Sequence, residues 1–194
     1  MKVAIFASGN GSNFEAIAKS IELRQAGLEI ELLVCDQKDA HVIQRAEKYH
    51  IPIFINQLSD YENRGAYEQA IIEKLKPLKI EYILLAGYMR VVTPVLLGAY
   101  PNRIINIHPS LLPKFSGLEA IERAFEAGDP VTGVTIHFID EGVDTGPIIK
   151  QEKVVRLAND TEASLEARIH QTEHQMYRQV ILDLLNKTNG VDKK

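Results

Sequence analysis

Asn106-Ile107-His108-Pro109-Ser110-Leu111-Leu112-Pro113 follows directly on Arg103-Ile104-Ile105, an apolar run that reads as a strand. Asn106 and His108 stand two apart, so on a strand both side chains face the same way. Downstream lies an acidic loop with glycines in it, Asp140-Glu141-Gly142-Val143-Asp144-Thr145-Gly146. One amide, one imidazole and one carboxylate, meeting at the edge of a parallel sheet, suit acyl chemistry. The amide donates to a carbonyl oxygen, the imidazole moves a proton, and the carboxylate orients the imidazole and favours its charged form. A strand-end histidine followed by proline also lies where open α/β sheets place their ligands.

Gly9-Asn10-Gly11-Ser12-Asn13 falls between the first strand-like run and the first helical pattern. Glycines there let backbone N–H groups approach an anion at a helix N-terminus, so phosphate can be held without the basic cluster that this stretch lacks. Gly9-x-Gly11 with Asp36 after the second strand also fits a dinucleotide site, although Phe14 stands where that fingerprint has its third glycine. No Gly-Lys-Ser/Thr follows, so this is not a Walker loop. His170-Gln171-Thr172-Glu173-His174 has the spacing of one zinc peptidase class, but only Asp183 and Asp192 remain downstream as carboxylate ligands. The same helix face could instead present Glu173 to a ligand. Asp140, Glu141 and Asp144 lack the length and spacing of an EF-hand, and we expect no metal. There is no Gly-x-Ser-x-Gly elbow, and Cys35 lies in an apolar run with no charged catalytic neighbour.

The elements that must position these groups alternate regularly. Val3–Ala7, Ile30–Cys35, Pro52–Ile55, Tyr82–Ala86 and Arg103–Ile107 read as buried strands. Between them, Asn13–Arg24, Ala40–Tyr49 and Arg64–Leu75 carry helical periodicity, and Thr93-Pro94 opens a short helix. This alternation predicts an α/β fold, a doubly wound and mostly parallel sheet. In the C-terminal third, Val134–Ile139 and Ile148–Val155 predict an antiparallel edge, and Thr161–Leu185 a long helix. No repeat or linker interrupts 1–188, which reads as a single domain, with 189–194 as a frayed tail.

Of the 194 residues, 45% are hydrophobic, enough for one well-formed core. A net charge of −4 with scattered Lys and Arg gives no nucleic-acid footprint. The single cysteine rules out an internal disulfide, and no apolar stretch approaches the ~18 residues of a membrane span. With no signal-peptide pattern after Met1-Lys2, the expected setting is the cytoplasm.

Gly9 to Asn13, Ala86-Gly87-Tyr88-Met89-Arg90, Asn106 to Pro113 and Gly133 through Gly146 together resemble the phosphoribosylglycinamide formyltransferases. These are the folate-dependent, purine-synthesis branch of the formyltransferase superfamily, with a Rossmann-like fold. The likeness runs from residue 1 to about 185, nearly the whole chain.

The resemblance implies transfer of a formyl group from 10-formyltetrahydrofolate to the amine of 5-phosphoribosylglycinamide, without a metal. It implies catalytic roles for Asn106, His108 and Asp144. It assigns substrate contacts to Gly11, Ser12, Asn13 and Glu173. It assigns folate contacts to Arg64, Met89, Arg90, Val91, Val92, Asp140, Glu141, Gly142 and Val143. The N-terminal half would then bind the phosphate, and the C-terminal half would bind folate and carry the catalysis.

Some relatives have histidines just after Gly117, where this chain has Glu119-Ala120-Ile121, and no role beyond loop and helix is assigned there. The Leu-Leu-Pro turn is expected to hold a cis bond at Leu112–Pro113. The expected partners are small molecules, with no nucleic acid or membrane, acting on a monomer or weak homodimer.

Three other readings share these residues. One is a different formyl-folate enzyme, for which a further C-terminal domain (the tRNA formyltransferase) or an N-terminal regulatory domain (the formyl-folate hydrolase) would be expected. The others are an NAD-dependent oxidoreductase and a non-catalytic nucleotide-binding module.

Overall fold

The computed structural model of the chain describes residues 1–188 and Gly190; the rest of the expected tail, Asn189 and residues 191–194, lies outside the described residues. One sheet of seven strands organises them, in the order β3-β2-β1-β4-β5-β6-β7. The strands are β1 (Lys2–Ala7), β2 (Glu29–Cys35), β3 (Ile53–Ile55), β4 (Tyr82–Leu85), β5 (Ile104–His108), β6 (Val131–Phe138) and β7 (Ile148–Val155). The first five run parallel, and β6 and β7 pair antiparallel at one side. The mostly parallel, doubly wound sheet with an antiparallel C-terminal edge is the architecture expected from the residue pattern.

Burial explains the unbroken apolar runs. In β1, Val3, Ile5 and Ala7 join the core on one face of the sheet, while Ala4 and Phe6 join the core on the other. A strand covered on both faces has no polar side to show as alternation. The first face is covered by α1 (Ser12–Ala18), α2 (Ile21–Gln25), α3 (His41–Lys48) and the long α7 (Glu162–Thr188). The second is covered by α4 (Arg64–Leu75) and α5 (Pro94–Ala99). A further short helix, α6 (Ala120–Glu126), packs beside α7.

The single helix expected over Asn13–Arg24 is two. Ser20 is extended, at φ −72° and ψ 108°, and its hydroxyl accepts the Leu23 N–H, starting α2 afresh. Strand β6 begins at Val131, ahead of the expected Val134, because Gly133 fits a place with no room for a side chain. A Cβ there would collide with the Glu152 carbonyl and with Leu111. Leu112–Pro113 is cis, as expected.

The chain winds from β1 outward to β3, then returns to β4 on the other side of β1. That reversal opens a crevice beyond the carboxyl ends of the central strands. No helix among the described residues is long and apolar enough to cross a membrane.

Candidate active site

The crevice is a cavity of about 750 Å³. Its walls are the Gly9–Asn13 turn after β1, the irregular segment 85–92 after β4, the end of β5, the loop around Gly117–Ala120, the 139–144 loop, and Glu166, His170 and Glu173 on α7. Asn106, His108, Asp144, Gly11, Ser12, Asn13, Glu173, Met89, Arg90, Val91, Val92, Asp140, Gly142 and Val143 all line it. Arg64 borders a smaller adjoining cavity of about 90 Å³, which shares Tyr88, Met89, Arg90 and Val91 with the large one. Glu141 is exposed and is not among the lining residues of either cavity.

The centre is Asp144. Its Oδ2 lies 3.3 Å from His108 Nδ1 and accepts the Gly117 N–H at 2.8 Å. Its Oδ1 accepts from the Asn106 amide at 3.4 Å and lies 3.5 Å from His137 Nε2. Burial alone would push this carboxyl up. The hydrogen bonds from His137 and Gly117, with the nearby His108, outweigh it and hold the carboxyl below the usual aspartate range. Asp144 adopts the left-handed conformation, φ 56°, which aspartate tolerates better than most side chains.

His108 is 5% exposed, and its ring is gripped at both ends. The second nitrogen, Nε2, lies 2.8 Å from the Phe115 carbonyl. A carboxylate and a carbonyl can only accept, so the ring satisfies both when each nitrogen carries a proton. The Pro109–Lys114 turn that fixes this strand end is itself tied down. The Thr135 hydroxyl donates to the Ser110 carbonyl at 2.7 Å and accepts the Leu112 N–H at 3.1 Å. Gln151 Nε2 donates to the Leu112 carbonyl and to Thr135 Oγ1, both at 2.9 Å.

His137 is a site residue that inspection of the sequence missed. It is wholly buried, directly opposite Asn106 in the β5–β6 register, with Nε2 3.3 Å from the Asn106 amide nitrogen. Its Nδ1 lies 2.9 Å from the Phe138 carbonyl. The available signal was the alternation of β6, which puts His137 and Thr135 on one face.

At the far end of the cavity, Gly11 is the N-cap of α1 at φ 77°, and no side chain caps the helix. A Cβ at Gly11 would collide with Val42 of α3, so the turn packs against that helix as only glycine can. Arg45 of α3 donates from Nε to the Asn10 carbonyl at 2.9 Å and from Nη2 to Asn10 Oδ1 at 3.0 Å, and pairs with Glu15. Glu173 is buried and accepts from Asn13 Nδ2 at 3.1 Å and His170 Nδ1 at 2.7 Å. The bond to Glu173 raises the His170 imidazole above its usual value.

Two alternative chemistries lose their geometry. Asp36, the acid a dinucleotide ribose would need, is 2% exposed, and its Oδ2 accepts Arg90 Nε at 2.6 Å. Glu173 is committed to Asn13 and His170, and among the described residues no group of three or more His, Cys, Asp or Glu is placed to hold a metal ion.

Comparison with known proteins gives the family. The formyl transferase family profile matches residues 1–181. A phosphoribosylglycinamide formyltransferase of Bacillus subtilis is 51% identical over 192 residues, covering 99% of this chain and 98% of that protein. One from Haemophilus influenzae is 37% identical over 93% of this chain and 85% of its own length. The crystal structure of the Bacillus halodurans phosphoribosylglycinamide formyltransferase superposes with a TM-score of 0.93, at 46% identity and full coverage of both chains. By sequence over nearly its whole length and by fold, the chain belongs to the formyl transferase family, among the phosphoribosylglycinamide formyltransferases.

Proposed function

We propose that this protein transfers the formyl group of 10-formyltetrahydrofolate to the amine of 5-phosphoribosylglycinamide, a step of purine synthesis. The observation that carries the reading is the convergence of Asn106, His108 and Asp144 on one cavity in a chain of this family. The cavity also extends from that trio to the Gly11–Asn13 turn at one end and the 89–92 segment at the other, room for two substrates side by side.

The acceptor's phosphate lies against the backbone of Gly11, Ser12 and Asn13, with Glu173 on the sugar side. The donor's ring system lies along Met89, Arg90, Val91 and Val92 and the 140–143 loop, and its acidic tail runs toward Arg64. The amine nitrogen attacks the formyl carbon, forming an N–C bond, and the carbonyl electron pair moves onto oxygen. Asn106 donates a hydrogen bond to that oxyanion. Its present bonds to Asp144 and His137, at 3.4 and 3.3 Å, are long enough to be exchanged for a substrate oxygen.

His108, oriented by Asp144, adds to the stabilisation of the developing charge and supports protonation of the donor nitrogen as the old C–N bond breaks. The proton lost by the attacking amine balances the one gained by the leaving nitrogen. The transfer is direct, with no acyl-enzyme, so most of the rate comes from alignment and electrostatics. Small-molecule substrates, a cytoplasmic setting and a monomer or weak homodimer complete the reading.

The test is a transfer assay following folate product absorbance, with the purified chain, 10-formyltetrahydrofolate and glycinamide ribonucleotide. Wild type should turn over. His108→Ala should lower kcat by about 10² to 10⁴ while leaving the circular dichroism spectrum unchanged. Retention of more than about a tenth of the wild-type kcat would remove His108 from the mechanism.

A further inference from the structure

Residues 86–92 form one wall of the cavity yet belong to no helix or strand. Met89 and Val91 are 64% and 52% exposed, so the wall shows apolar side chains to solvent and must be held from behind. Its anchors come from the ends of β1 and β2 and from α4. Ser8 takes the Met89 N–H at 2.8 Å and gives its own N–H to the Gly87 carbonyl at 3.0 Å. The Tyr88 hydroxyl bonds that of Tyr67. Glu68 accepts the Thr93 N–H at 2.7 Å. The remaining anchor is the ion pair between Arg90 and Asp36, at the end of β2.

This pair is unequal in a telling way. The Asp36 side chain is 1% exposed, whereas that of Arg90 is 36% exposed. Asp36 Oδ2 is met by Arg90 and by Gln37 Nε2 at 3.2 Å, but Oδ1 is buried with no hydrogen-bond partner among the described residues. A carboxylate so placed gives up most of its hydration for little internal compensation. Packing alone would be served as well by a neutral side chain of the same shape. What only the charge supplies is a fixed position for the Arg90 cation, whose residue borders both the large cavity and the smaller one beside it.

We infer that Asp36 is a positioning residue for the formyl-donor end of the site. Its buried charge holds Arg90, and through Arg90 the wall at 89–92, in the shape that receives the donor. Without it the guanidinium swings over either cavity and the wall loosens. The acceptor end, built on the Gly11 turn and α7, does not depend on this pair. The inference rests on the donor assignment made above.

Steady-state kinetics of Asp36→Asn, with each substrate varied in turn, test it. The KM for 10-formyltetrahydrofolate should rise about tenfold, with the KM for glycinamide ribonucleotide and kcat within about twofold of wild type. An unchanged donor KM, or a parallel rise in both KM values, overturns the inference. Arg90→Gln should raise the donor KM by the same factor, and the double variant should be no worse than either single one, since both break the same contact. An additive rise overturns it. If Asp36→Asn does not fold, Arg90→Gln decides alone, and an unchanged donor KM counts against the inference. Absence of transfer by wild type with this donor would instead sink the donor assignment, so the two failures are distinguishable.

Discussion

Asp144 shows how much a single carboxylate can organise. It faces the Asn106 amide, the His108 and His137 imidazoles and the Gly117 N–H, and it takes a left-handed backbone to do so. Replacing it by asparagine keeps the shape and removes the negative charge that faces the His108 ring at 3.3 Å. We expect kcat of Asp144→Asn to fall by about 10² to 10⁴, measured in the same transfer assay. The pH dependence of stability follows from the sign of its shift. The folded-state pKa lies below the ordinary 3.8, so Asp144 stabilises the fold fully above that value. That contribution is lost as the pH falls through the depressed pKa. Denaturation midpoints should therefore show a constant gap between wild type and Asp144→Asn from about pH 5 to 8, narrowing only below about pH 4. A gap that opened or closed near pH 6 would point to a histidine as the titrating group. At this scale Asn106 and His108 stood out in the sequence by type and spacing, and the structure brings both to one cavity with Asp144. The sequence was not legible for His137, whose meaning depends on lying opposite Asn106 in the register of two strands that are joined by a long connection through α6.

At the scale of elements, the strands were readable because two-sided burial writes them as apolar runs, and Arg64–Leu75 because one helix face repeats. The helix break at Ser20 and the early start of β6 at Val131 were not, since each turns on one small residue whose effect is tertiary. Thr135 tests this level directly. Its hydroxyl is wholly buried between the Ser110 carbonyl, the Leu112 N–H and the Gln151 amide, and so joins β6 and β7 to the turn that aims His108. Thr135→Val keeps the branched shape and orphans those groups, at a cost of about 1–3 kcal/mol. We expect a lower melting temperature together with a kcat reduced beyond what the unfolded fraction explains. A variant that loses stability but keeps full kcat per folded molecule would show that the turn does not need this hydroxyl to place His108.

Across the whole molecule, the site depends on the sheet ends staying in register while one long helix closes the core over them. Helix α7 brings Glu166, His170 and Glu173 to the wall of the cavity, and it buries Leu165, Ile169, Met176, Tyr177, Val180, Ile181 and Leu185. Only one of those side chains carries a polar group into the sheet. The Tyr177 hydroxyl donates to the Leu85 carbonyl at 3.1 Å and lies 3.2 Å from the Ile105 carbonyl, bridging β4, where the 86–92 wall begins, and β5, which carries Asn106 and His108. Burial raises its phenol well above the ordinary value, so it is a donor at neutral pH. Tyr177→Phe removes the hydroxyl with little change in packing and leaves a buried carbonyl short of a partner. The expected cost is about 1 kcal/mol, or about 2–4 °C in Tm for a chain of this size. Because the two strands are also paired through their own backbone, kcat should change by less than about threefold. A thermal melt and one kinetic measurement decide the matter. A normal Tm with a collapsed kcat would make Tyr177 part of the active site, whereas the expected pattern assigns it to the frame that holds the active site in place.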